Sequence, residues 1–189
     1  DDHEDVAHCL NNLGVVERDL GNNTQAKEHF LHALVIYRQL FGDDHEKVAD
    51  CLYNLGFVER DLGNNTQAKE QFLHALGIYR QLFGDGHEKV ARCLYNLGLV
   101  ERDLGNNTQA KEQFLHALVI DRKLFGDEHE DVADCLRNLG LVERDLGNNP
   151  QAKEHFLHAL VIYHKLFGND HPKVAACLSV LKFLEEVKS

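Results

Sequence analysis

Two residue types able to bind metals or act as nucleophiles recur along the chain at fixed intervals. Cysteines stand at Cys9, Cys51, Cys93, Cys135 and Cys177, and histidines at His3, His45, His87, His129 and His171, six residues before each. On a helix, six residues place two side chains roughly 120° out of phase. Zinc takes close pairs such as Cys-x-x-Cys or His at i and i+4. The spacing therefore predicts no metal and assigns these histidines to helix caps or loop packing. His32, His74, His116 and His158 lie beside core-type residues such as Leu31 and Ala33 and are expected to pack between helices. A neutral imidazole buried there would make stability fall on acidification. One cysteine per interval suits a packing position in a reducing, cytoplasmic compartment better than a disulfide framework. Their place beside Leu10 predicts buried, inert thiols. No Gly-rich phosphate loop and no Ser-His-Asp or Cys-His set stands apart from the repetition, so neither an enzyme nor a cofactor is expected.

The other candidate chemistry is recognition. Asn12, Asn54, Asn96 and Asn138 recur at equal spacing, and an amide both donates and accepts hydrogen bonds, as a peptide bond does. Arg18, Arg60, Arg102 and Arg144 could take a carboxylate bidentately, or each could neutralise the aspartate beside it, Asp19, Asp61, Asp103 or Asp145. Near these ladders lie the positions that change between the repeated segments. They are His8, Asp50, Arg92 and Asp134, then Asn11, Tyr53, Tyr95 and Arg137, then Val15, Phe57, Leu99 and Leu141. Spacings of three and four put them on one helical stripe, away from the core stripe of Leu10 and Leu13. Variation on one face of a constant scaffold is what ligand specificity requires, so Asn11, Tyr53, Tyr95, Arg137, Phe57 and Leu99 join the two ladders as candidate peptide contacts.

The elements that position these residues are equally regular. A 42-residue unit beginning DDHEDVAHCLNNLG returns at Asp43, Asp85 and Asp127, and in part at Asn169. The expected segments are 1–42, 43–84, 85–126 and 127–168, with a closing helix in 169–189. Val6, Cys9, Leu10, Leu13, Val16 and Leu20 form one apolar face and predict a first helix from about 3 to 20. Ala26, Phe30, Ala33, Leu34, Tyr37, Leu40 and Phe41 predict a second from about 24 to 41. Asp43 with Glu46 reads as a capping box, repeated by Asp85 with Glu88 and Asp127 with Glu130. Gly21 is expected in a left-handed conformation closing the first helix, Asn23 to cap the second, and Gly42 to end it as Gly21 ends the first. Pro150, at the start of its helix, fits that register. A single pair cannot bury both apolar faces, so pairs joined by three-residue turns stack as a solenoid.

Leu10, Leu13-Gly14, Ala26, Phe30 and Ala33, carried in all four full units, resemble the pattern of the tetratricopeptide repeat family. The extended second helix, through Leu40-Phe41-Gly42 and an Asp-x-His turn, is similar to the longer repeats of kinesin light chain and of nephrocystin-like proteins. The resemblance implies an all-α, right-handed superhelical tetratricopeptide-repeat solenoid of antiparallel helix pairs. It also implies that the first helices line a concave groove for an extended peptide, with the Asn ladder on the peptide backbone. Two departures stand out: Leu10 replaces the family's usual Trp, and Glu17, Glu59, Glu101 and Glu143 replace a Tyr. A carboxylate on that stripe needs a partner, and a Lys, Arg or His from a neighbouring helix is expected. In the closing segment Val180 and Glu186 take the ladder positions, so the groove is expected to span the four full units only.

Composition narrows the partners. The 189 residues are 43% hydrophobic and 27% charged, with a net charge of -11. That balance argues against nucleic acid and anionic membranes, both of which need excess Lys and Arg. No apolar run is long enough to span a bilayer, and the first residues lack the pattern of a signal peptide. With no Met, Asp1 reads as an internal residue of a longer protein. Sequons at Asn22, Asn64 and Asn106 would matter only on secretion. The expected partner is a protein or an extended, acidic peptide. The close identity of the units points either to a recently amplified array or to an engineered one with no natural ligand, and identical units can also associate end to end.

Overall fold

The computed structural model describes residues 2–186. Among them helices follow in the order α1 (Asp2–Asp19), α2 (Asn23–Phe41), α3 (Glu46–Asp61), α4 (Asn65–Phe83), α5 (Glu88–Asp103), α6 (Asn107–Phe125), α7 (Glu130–Asp145), α8 (Asn149–Phe167) and α9 (Pro172–Glu186). The fold is an all-α repeat solenoid of helix pairs. None of the described helices is long and apolar enough to cross a membrane. The chain falls into two compact units, one ending at Val100 and the other beginning at Glu101.

In the first unit α1 packs on α2, α2 on α3, and α3 on α4. The periodic apolar residues make these interfaces: Ala26, Phe30, Ala33, Leu34 and Tyr37 of α2 are buried, as are Val48, Cys51, Leu52, Leu55 and Val58 of α3. The second unit repeats the plan. α6 packs on α7, α7 on α8, and α8 on α9, with Phe114, Leu139 and Phe156 at the core and Val174, Cys177, Leu181 and Leu184 of α9 closing it. Within a pair the helices approach so closely that a Cβ on Gly56 would lie 2.6 Å from the Phe72 ring. Only glycine fits that crossing.

The first-helix turns are Schellman motifs. Gly21, at φ 82°, donates its amide to the Arg18 carbonyl, and the Asn22 amide reaches the Glu17 carbonyl, each at 2.8 Å. Several local expectations need correction. Gly42 also has positive φ (84°), but its ψ of 176° is extended, so it ends α2 by a different geometry from Gly21. The α3 cap is His45, not Asp43, because its ring stacks on Phe41 with centroids 4.3 Å apart and so holds Nδ1 where it accepts the Lys47 amide at 3.2 Å. His87 and His129 do the same for Lys89 and Asp131, so the proposed Asp–Glu boxes are not the caps. The cap position of α2 is Asn22, not Asn23, and its side chain makes no cap bond. It donates instead to Glu17 Oε2 at 2.8 Å.

Four cysteines are buried as expected, but Cys9 is exposed, on a side of α1 that no helix among the described residues covers. Burial pushes the Cys51 and Cys93 thiols up to about 12. His32, His74, His116 and His158 are exposed rather than packed between helices. The buried-histidine reading belongs instead to His155, which burial pulls below its ordinary value, against the opposing pull of Glu143.

The expected cationic partners are present for Glu59 and Glu143, whereas Glu17 is met by the Asn22 amide and by no cation among the described residues. Lys27 of α2 reaches Glu59 of α3 at 2.7 Å, and Lys111 of α6 reaches Glu143 of α7 at 2.6 Å. Asn64 and Asn148, from the turns, donate to the second oxygens. Burial raises the Glu143 carboxyl, but Lys111 and Asn148 together outweigh it and leave it below the usual carboxylate range.

Candidate protein-binding face

The first-helix stripe in the unit ending at Val100 encloses a polar hollow of about 250 Å³ lined by Asn11, Asp50, Tyr53, Asn54, Tyr79, Lys89 and Arg92. Helix periodicity brings Asp50, Tyr53 and Asn54 to one side of α3, and the α2–α3 and α3–α4 packing supplies the walls. Asp50 is held at one oxygen: Tyr79 Oη donates to Oδ1 at 2.6 Å and Lys89 Nζ at 2.7 Å, while Lys89 also reaches Glu46 at 2.8 Å. Burial raises the Tyr79 hydroxyl, and the Asp50 charge raises it further. For Lys89, burial acts downward, but bonds to Asp50 and Glu46 outweigh it and hold the ammonium above its usual value. Neither group titrates near neutrality.

With Lys89 held between Asp50 and Glu46, Arg92 is the more exposed cation of the hollow. Its side chain is 56% exposed, and the Glu88 carboxylate lies 4.0 Å away along the same helix. Its guanidinium sits 5.4 Å from the Tyr53 ring centroid, a spacing that suits cation–π attraction. Tyr53 is itself locked edge-on against Phe57 and Phe72. A flat aromatic surface, an exposed guanidinium and two amides thus converge on one place.

The Asn ladder divides along its length. Asn12 is exposed, its Nδ2 3.1 Å from His8 Nε2, and half-buried Asn54 donates to Asn11 Oδ1 at 3.3 Å. Asn96 and Asn138 are buried. Asn96 donates to the Tyr53 hydroxyl at 3.0 Å and the Arg92 carbonyl at 2.8 Å. Asn138 donates to the Asp134 carbonyl and accepts from Arg102 at 2.9 Å. Their amides stitch the floor of the face. Among the arginines, Arg18 and Arg144 bind the adjacent Asp19 and Asp145 at 3.1 Å and 2.8 Å, and Arg18 also lies over the Phe57 ring at 5.3 Å. Arg102 is 3.9 Å from Asp103. Arg60, Tyr95, Leu99, Arg137 and Leu141 are half-buried on their first helices.

In the second unit the same clamp recurs. Asp134 accepts from the Tyr163 hydroxyl and, at 2.7 Å, from Lys173, which also reaches Glu130 at 2.8 Å. Tyr79, Lys89, Tyr163 and Lys173 join the face only through the fold. Their signal was the recurrence of Tyr 29 residues after an Asp. Among the described residues no group of three His, Cys, Asp or Glu side chains could hold a metal ion.

Helix pairs of this geometry, with a glycine crossing and a turn glycine in each, define a class of all-α repeat scaffold. The tetratricopeptide repeat model matches residues 5–81, 51–118, 94–160 and 136–184, and the chain belongs to that family. Repeats of this family are in general protein-interaction scaffolds. Similar solved structures include BtubC (BKLC) from P. vanneervenii, at 19% identity and a TM-score of 0.79 over 98% of this chain and 82% of that one. Another is a Podosopora anserina array of nearly identical TPR-like repeats described as a kinesin light chain, at 16% identity and a TM-score of 0.81 over 96% and 86%. A Rap protein complexed with competence and sporulation factor aligns at 18% identity with a TM-score of 0.75, over 96% of this chain and 49% of that one, so this chain spans about half its length. No curated protein sequence matches the chain.

Proposed function

We propose that the chain is a non-catalytic interaction scaffold whose first-helix face binds an extended, acidic segment of a partner protein. The observation that carries this reading is the hollow around Tyr53. There Lys89 pairs with Asp50 and Tyr79 donates to it, while exposed Arg92 stands beside them to meet a carboxylate. Tyr53 and Phe57 offer an apolar surface beside it, and Asn11 and Asn54 offer amides to a peptide backbone. In the second unit Arg137 stands at the position of Tyr53 and provides a further cation on α7. That a Rap protein of similar fold was solved in complex with competence and sporulation factor supports a binding role for a fold of this kind.

Calorimetric titration tests the reading. Extended acidic peptides should bind, and their charge-neutral counterparts should bind less well. Arg92→Glu should weaken the acidic ligand by about tenfold or more through like-charge opposition, with the helical signal unchanged. Equal affinity for acidic and neutral peptides, or an unaffected Arg92→Glu variant, would contradict it.

A further inference from the structure

The Asp–Tyr–Lys clamp of the first-helix face is complete once in each unit. In the first, Tyr79 and Lys89 donate to Asp50 at 2.6 Å and 2.7 Å, and Lys89 makes a further bond to Glu46 at 2.8 Å. In the second, Tyr163 and Lys173 meet Asp134, and Lys173 reaches Glu130 at 2.8 Å. The same three places recur one repeat earlier in the first unit, at residues 8, 37 and 47. Tyr37 and Lys47 keep the two donors. The carboxylate does not recur, because His8 stands at the position of Asp50 and Asp134.

The donors hold the same geometry without it. Lys47 Nζ lies 5.5 Å from the Tyr37 ring centroid, against 5.0 Å for Lys89 over Tyr79 and 5.3 Å for Lys173 over Tyr163. Its bond to Glu4, at 2.7 Å, matches that of Lys89 to Glu46. Tyr37 is 3% exposed, yet its hydroxyl donates to no acceptor among the described residues, whereas those of Tyr79 and Tyr163 both do. His8 is engaged elsewhere, with its Nε2 3.1 Å from Asn12 Nδ2. A hollow of about 210 Å³ lies here, lined by His8, Asn11, Tyr37, Lys47 and Asp50. That is smaller than the roughly 300–1,000 Å³ of pockets that enclose a drug-sized ligand, and it suits a single functional group. Asp50 is the one carboxylate on its wall, and Oδ1 of that group is taken by Tyr79 and Lys89.

We propose that this hollow binds a carboxylate supplied by a ligand, in the place that the Asp50 and Asp134 side chains occupy in the two complete clamps. One oxygen of that carboxylate accepts from the Tyr37 hydroxyl and the Lys47 ammonium. Binding gives the buried hydroxyl its acceptor and Lys47 a second anion, so the ligand gains charge-assisted bonds to donors already in position. The group can come from a small free carboxylic acid or from a peptide, as an acidic side chain or a C-terminus. The site adjoins the Tyr53 hollow and shares Asn11 and Asp50 with it. It does not rest on the reading of that hollow, since it uses neither Tyr53 nor Arg92.

The test titrates the full chain with acetate against chloride at constant ionic strength, following the side-chain resonances of His8, Tyr37 and Lys47. Acetate should shift them saturably, and chloride should not. Tyr37→Phe removes only the unpartnered hydroxyl, so it should weaken acetate by about tenfold and leave the urea midpoint unchanged. Tyr79→Phe, which takes a donor from Asp50, should lower that midpoint. His8→Asp supplies the carboxylate from within the chain, so it should raise the midpoint and abolish the acetate response. Two peptides separate the sources, one with an acidic side chain and an amidated C-terminus, the other with a free C-terminus and no acidic side chain. Whichever shifts these resonances at lower concentration than acetate identifies the source, and if neither does, the site takes a small free carboxylate. No saturable shift with acetate, an equal response to chloride, or an unaffected Tyr37→Phe variant would overturn the proposal. So would a His8→Asp chain that gains no stability or still responds. Shifts confined to Tyr53 and Arg92 would overturn it too, while leaving the reading of their hollow in place.

Discussion

Val6, Cys9, Leu13 and Val16 of α1 have the same residue types as Val48, Cys51, Leu55 and Val58 of α3, yet the first set lies open to solvent and the second is sealed beneath α2. Local sequence cannot account for the difference, because it is nearly the same in both places. Coverage by the preceding pair decides it. The energetics of the chain are therefore those of nearest neighbours: part of each first helix's stability belongs to the interface with the pair before it, and α1 has no such pair within the chain. The same comparison separates the two fates of a stripe carboxylate, which is paired by a lysine in Glu59 and answered only by a turn amide in Glu17.

The largest contrast should appear in truncation of the stripe itself. Leu55→Ala, at a position 2% exposed, should cost about 2–5 kcal/mol in urea unfolding, whereas Leu13→Ala, at 42% exposure, should stay within about 1 kcal/mol. Equal losses would show that coverage does not set the difference. Next comes a control in which the two helices should agree. Gly14→Ala and Gly56→Ala both push a Cβ into the phenylalanine ring of the same pair, Phe30 or Phe72. Each should cost about 1–3 kcal/mol, since this crossing does not depend on a preceding pair.

The charge contrast is smaller. Lys27→Met leaves Glu59, 5% exposed, with only the Asn64 amide and should cost about 1–3 kcal/mol. Glu17→Gln should be close to neutral. Smallest is a pH effect. Burial holds His155 below its ordinary value in the folded chain, so the unfolded chain binds the proton more readily. Stability from this group is present above the unfolded pKa of about 6.5 and is lost as pH falls through the folded value. His155→Gln, which copies the residue at Gln71 and Gln113, should flatten denaturation midpoints between mildly acidic and neutral pH. An unchanged slope would remove His155 from the account. Glu143, held below the usual range, acts at lower pH: its contribution is present above the unfolded carboxylate pKa and lost on further acidification.

Much of the fold was legible because its signals are local and repeated. Helical periodicity, the turn glycines and the Leu-Gly, Ala and Phe positions locate every helix among the described residues to within a few residues. Failures occurred where competing local groups or chain ends decide. Asp43, Asp44 and His45 all stand where a cap could form, and the choice fell to His45 because Phe41 gives its ring a surface to stack on. His32 adjoins buried Ala33, but a neighbour along a helix points about 100° away, and both Leu31 and His32 face out. The exposure of Cys9 leaves no trace in the periodic pattern, which marks a helix face and not what covers it. The candidate face was legible as a stripe but not as a hollow. Tyr79 and Lys89 reach Asp50 from 29 and 39 residues away, and such long-range pairing leaves no trace in a helical period.

The central claim is that the first-helix face, and the hollow at Tyr53 in particular, receives a partner segment. Amide and side-chain chemical-shift mapping of the full chain, titrated with an extended acidic peptide, tests it most directly. Perturbations centred on Asn11, Tyr53, Asn54 and Arg92, and absent in Arg92→Glu, are the expected result. Perturbations confined to outward residues of the second helices, such as Leu31, Val35 and Leu73, or none at saturating peptide, would contradict it.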